Sequence, residues 1–115
     1  MFNFLSKKMD YDILGTTYHF IFGTRDKIHI ADGYDGECHM FSKEILVCTD
    51  QGECTYEEMQ VKVSEILAHE IMHAFLNEAG IDCEQGEECV CNFYMKNWRK
   101  MCNLQMEILD RLSLI

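Results

Sequence analysis

The sequence predicts an α+β fold, with a small antiparallel or mixed β-sheet in the N-terminal half lying on two long antiparallel C-terminal helices. Three observations carry this. β-branched and aromatic residues gather before residue 50. After residue 55 the apolar residues recur with a helical period. Proline is absent, so nothing in the chain interrupts a long helix. At 115 residues, 48% apolar and 26% charged, the chain is long enough for one core and too short for two, so residues 1–115 are read as a single domain.

The β-rich part covers about residues 10–50. Ile13 to Phe22, with Thr16, Thr17, Tyr18, Phe20 and Ile21, reads as a strand. Lys27-Ile28-His29-Ile30 alternates polar and apolar and reads as a second, half-buried strand. Asp32-Gly33-Tyr34-Asp35-Gly36 is a turn cluster. Beyond it, Cys38 to Phe41 and Glu44 to Cys48 pair as a hairpin across Ser42-Lys43.

The first helix is expected over about residues 55–80, some 24 residues and roughly 36 Å long. Thr55 and Glu58 form a capping box at its start. Apolar residues at 59, 63, 66, 67, 71, 74 and 75 make one face. Gly80 supplies the left-handed stop, and Ile81 folds back on Leu76. The second helix is expected over about residues 83–113, capped by Asp82 with Gln85 or else starting at Glu87, with an apolar stripe at 90, 94, 98, 101, 104, 108 and 112. Tyr94, Trp98 and Met101 are read as core.

The net charge of -10, from 20 acidic and 10 basic residues, argues against binding nucleic acid. No run of about 18 apolar residues is present to span a membrane. The seven cysteines are odd in number, contain no CxxC, and follow a start that lacks the apolar stretch of a secretory signal. A cytoplasmic chain with reduced thiols is expected.

Chemistry concentrates in His69-Glu70-Ile71-Met72-His73. Residues four apart share a helix face, so His69 and His73 can hold one Zn²⁺ per chain. Glu70, one helical step away, can face the attacking water and act as its general base. The pattern fixes only three positions. Its place deep in a strongly periodic helix, beside Ile66, Leu67 and Ala74, is what raises it above a chance arrangement of two surface histidines and a surface glutamate. No third histidine stands six residues past His73, which excludes the long His₃ motif. A third ligand is therefore sought on the second helix, and counting back along antiparallel helices puts Glu87 level with His73, with Glu88 and Glu84 as alternatives. Glu78 lies about 140° around the helix from His73 and reads as a surface or supporting residue.

These residues, His69 to Gly80 followed by Gly86-Glu87-Glu88-Cys89-Val90-Cys91, resemble the small HExxH proteins of phages and bacterial mobile elements. Those look like minimal gluzincins, zinc peptidases whose third ligand is a glutamate on the helix after the HExxH helix. Leu14 to Tyr18, Ala31 to Tyr34 and Glu44 to Val47 look like the same family's N-terminal half. The resemblance implies a minimal zincin-like core, His69, His73 and Glu87 as ligands, Glu70 as base, and Glu44, Ile45, Leu46, Val47 and Cys48 as the sheet edge against which a peptide lies. Two positions depart from the pattern. Gly86 replaces an asparagine, and Cys91 replaces an aspartate that would orient a ligand imidazole, leaving Cys91 as a weak supporting acceptor or a buried inert thiol.

The function expected is zinc-dependent peptide hydrolysis in a bacterial host cell, on a peptide or protein substrate that includes the case of one regulatory protein. The alternative is a non-catalytic acidic mobile-element protein, an antirestriction-type or regulatory binding module with structural zinc or none.

Overall fold

The structure, a computed structural model, describes residues 6–50, 52–82 and 86–113, without the side chains of residues 6, 87 and 88. It opens on strand β1 (Ser6–Ile13), which the sequence reading largely missed because its composition is polar. Met9 and Ile13 face inward, while exposed Lys7, Lys8, Asp10 and Asp12 beside them blunt a sheet edge. Leu14 and Gly15, at φ 49° and 94°, turn the chain into β2 (Thr16–Gly23), with Ile13 opposite Thr16. Positive φ at both central residues is what a tight hairpin with right-twisted strands demands. The strand read from Ile13 onward therefore contains a turn, which Leu14 concealed.

β3 (Gly36–His39) and β4 (Glu44–Cys48) form the predicted hairpin, antiparallel, with Lys43 at φ 59° in its turn. The strand order is β1-β2-β4-β3, with β4 parallel to β2. This topology corrects the expectation for Glu44, Ile45, Leu46, Val47 and Cys48. They form an inner strand, paired on both sides, and β3 is the edge. An apolar run such as Ile-Leu-Val-Cys, with every member buried, is the signature of a strand covered on both faces. Parallel neighbours also need a crossover, and the loop between β2 and β3 supplies it. Lys27-Ile28-His29-Ile30 lies in that loop and is not a strand. The amides of Lys27 and Ile28 turn back onto the Thr24 carbonyl, and only Ile28 is buried.

Helix α1 (Tyr56–Glu78) begins with the capping box as predicted: Glu58 N donates to Thr55 Oγ1 at 3.1 Å, and Thr55 N donates to Glu58 Oε1 at 3.1 Å. It ends as predicted too. Gly80 sits at φ 69°, and the amides of Gly80 and Ile81 close onto the carbonyls of Asn77 and Leu76.

Helix α2 (Glu87–Arg111) starts at Glu87 and has no side-chain cap, since its N-cap is Gly86 at φ 111°. Phe93, Met101, Leu104, Ile108 and Leu112 are buried, whereas Tyr94 and Trp98 are 54% and 41% exposed and are not core. Burial thus follows the predicted stripe only from Met101 onward. Tyr56 Oη donates to the Ser113 carbonyl at 3.0 Å, and Gln105 Nε2 donates to Ser64 Oγ at 2.9 Å, so the start of α1 meets the end of α2.

The inward residues of the sheet (Tyr18, Phe20, Phe22, Ile45, Val47) join Val63, Leu67, Ile71 and Phe75 of α1 in one core. Among the described residues no helix is long and apolar enough to cross a membrane.

Candidate functional site

Core burial of Leu67, Ile71 and Ala74 sets the rotation of α1 and turns the HExxH residues toward β3. His69 and His73 stay exposed, and their Nε2 atoms approach to 3.0 Å with ring planes at 73°. Two corners of a tetrahedral zinc site with bonds of 2.0–2.1 Å lie about 3.3 Å apart, so the two imidazoles converge as ligands of one ion must. Burial, then the neighbouring His69, holds His73 below the usual imidazole range, favouring the neutral form that ligates.

Glu70 is only 6% exposed. Burial pushes its carboxyl above the ordinary carboxylate value, with His69 opposing and Glu37 reinforcing the shift. It accepts no hydrogen bond from a described residue, so its oxygens remain available to whatever enters the cleft. β3 comes unusually close here. A Cβ on Gly36 would fall 2.6 Å from Ile66 Cγ2 and 2.9 Å from Glu70 Oε2, so only glycine lets the strand lie against the helix at this level.

Between β3 and α1 lies a cleft of about 490 Å³, with Tyr34, Gly36, Glu37, Cys38, His39 and Met40 on one side and His69, Glu70 and His73 on the other. Two further hollows continue it. One, of about 310 Å³, shares His69 and Glu70 and reaches Asp35 and Glu65. The other, of about 500 Å³, shares Met40 and His73 and reaches Leu76, Ile81 and Asp82.

The sequence reading singled out neither Glu37 nor His39. In the structure Glu37 holds His39 Nε2 at 2.9 Å through one oxygen and accepts the Ala31 amide at 2.5 Å through the other. Both bonds hold the Glu37 carboxyl below its usual range, the Ala31 amide most. The two-residue spacing of Glu37 and His39 on a strand was the available signal, since it puts both on one face. Beside them, burial and the nearby Glu70 push the Cys38 thiol up to about 11, so it stays protonated and inert.

Set against protein-family models, curated proteins and solved structures, the chain matches none.

Glu87 and Glu88 open α2, but their side chains, like the whole of Glu84, lie outside the described residues. Glu87 is the first residue of its helix and not the fourth or fifth, so the count that put it level with His73 does not hold. Among the described residues no three metal-ligating side chains converge. Cys91 is exposed and lines none of the three hollows, which corrects its reading as a buried thiol.

Glu78 is not a surface residue. Its carboxylate, 12% exposed, accepts from Thr16 Oγ1 at 2.7 Å, Tyr18 Oη at 2.5 Å, Lys43 Nζ at 2.8 Å and Asn77 Nδ2 at 3.3 Å. The Lys43 ammonium, then the Tyr18 and Thr16 hydroxyls, hold its pKa at about 2. The bonds tie the last turn of α1 to β2 and to the turn that carries β3, behind the histidines.

Proposed function

We propose that the chain is a zinc-dependent metallopeptidase acting on a peptide or protein substrate in the cytoplasm of a bacterial host. One observation carries this reading: the Nε2 atoms of His69 and His73 converge to 3.0 Å beside Glu70, a buried carboxylate that lines the cleft without a hydrogen-bond partner among described residues.

His69 and His73 are the residues that would hold the ion, with the third ligand sought at Glu87, Glu88 or Glu84. A zinc ion bound there supplies Lewis acidity, polarising a scissile carbonyl and acidifying water near neutral pH. The chain's own part in the chemistry is proton management. Glu70 takes a proton from the attacking water as its oxygen bonds to the carbonyl carbon, and delivers that proton to the amide nitrogen as the C–N bond breaks. The free edge of β3, in place of the Glu44–Cys48 strand, borders the cleft and offers main-chain groups to an extended peptide.

The test is a Glu70→Gln variant. It should keep its zinc and its fold while hydrolysis falls by at least about 10²-fold. Cleavage at the wild-type rate would remove Glu70 from the chemistry and the proposal with it.

A further inference from the structure

The three hollows form one groove along α1. They share His69 and Glu70 at one junction, and Met40 and His73 at the other, so an occupant of the middle reaches both ends. The groove borders an edge strand, and a carboxylate 6% exposed opens into it without a partner among described residues. Both features await an extended polypeptide.

The lining is one-sided in charge. Asp35 and Glu65 stand at one end, Glu37 and Glu70 in the middle and Asp82 at the other end, and among the described residues no lysine or arginine lines any of the three hollows. Asp35 is already answered by Arg25 at 2.8 Å, and Glu37 by His39. Glu65, exposed on α1, has no ion pair among the described residues. The Asp82 end has an apolar floor of Leu76 and Ile81, with Met40 above it. The whole chain, at -10, adds a field of the same sign, and a concave wall of one sign concentrates ligands of the other.

From this groove we infer the substrate class: an extended, basic segment, with Lys or Arg facing Glu65 at one end and an apolar side chain over Leu76 and Ile81 at the other. The inference rests on the peptidase reading for what happens to the segment once bound, and on the groove alone for what is bound.

The experiment separates the two. Short fluorescein-labelled peptides of Ala and Leu, carrying Lys, Gln or Glu at the flanking positions, are titrated into the Glu70→Gln protein, with and without zinc, and followed by anisotropy. The Lys peptide should bind severalfold tighter than the Glu peptide at low salt, as one exposed ion pair within an acidic groove supplies, and the gap should close in high salt. Glu65→Lys should close most of the gap, while Glu107→Lys, an equal charge change on α2, should leave it. Equal binding of the Lys and Glu peptides would overturn the inference. Loss of the gap in Glu107→Lys would overturn it too, by showing that net charge and not the groove selects. If the Lys peptide binds with this preference but zinc-loaded wild type never cleaves it, the peptidase reading fails and the recognition of a basic segment stands.

Discussion

Glu70 and Glu78 are carboxylates of one helix, two turns apart, driven in opposite directions. Glu70 is buried and meets no hydrogen-bond donor among the described residues, and its pKa rises. Glu78 collects donors from the sheet and from Lys43, and its pKa falls to about 2 from an ordinary 4.5. A folded-state pKa below the unfolded one stabilises the protein fully above the unfolded value, and that contribution is lost as pH falls from about 4.5 toward 2. Glu78→Gln should therefore cost about 1–3 kcal/mol at neutral pH and flatten the acid limb of stability in that window, as read by urea titrations at several pH values. A variant with the wild-type acid limb would show that the network contributes nothing there. Gly36 sets a different constraint at the same scale. Gly36→Ala should push β3 off Glu70 and lower kcat/KM by as much as about a hundredfold, with zinc content unchanged because His69 and His73 lie outside the contact. Parallel loss of zinc and activity would instead mean that the whole site had collapsed.

Elements were legible where a periodic pattern coincided with a stop signal. Helix α1 has both, in its Thr55–Glu58 box and its Gly80 closure, and its ends fall within two residues of those expected. The β3–β4 hairpin was legible as two short runs flanking Ser42-Lys43, although β3 lies two residues earlier than the run read for it. β1 was not, because a charged edge strand hides its periodicity among lysines and aspartates, and Lys27–Ile30 imitated a strand although the amides of Lys27 and Ile28 close a turn onto Thr24. The Leu14-Gly15 turn was hidden by its first residue. A leucine at φ 49° sits where L-residues lose about 1–2 kcal/mol, and asparagine tolerates that conformation better. Leu14→Asn should stabilise the protein by about 0.5–1 kcal/mol in denaturant titrations without altering the site; a loss of stability would mean that the half-exposed leucine side chain contributes more than the strain removes. At the site, the helical half (His69, Glu70 and His73) could be read from spacing. For the strand half (Gly36, Glu37 and His39) the two-residue spacing gave a shared face but not its place opposite the helix, because strand order is a long-range property, and the apolar run at 45–48 betrayed an inner strand only once its neighbours were known.

At the scale of the molecule, one helix serves both core and site. Its inner face, from Met59 to Phe75, fixes the rotation that sets His69 and His73 beside each other, while β3 and the Glu78 network hold the opposite wall of the cleft. The sheet order places a short edge strand where a substrate would lie, and the acidic lining extends across the groove. All of this acquires chemical purpose only if the two imidazoles bind metal. The most direct test is therefore elemental analysis of wild-type protein purified without chelator, beside His69→Ala and His73→Ala. The account predicts one zinc per wild-type chain and almost none in either variant. Wild-type protein that carries no stoichiometric zinc and takes up none when it is offered, or variants that keep theirs, would contradict it.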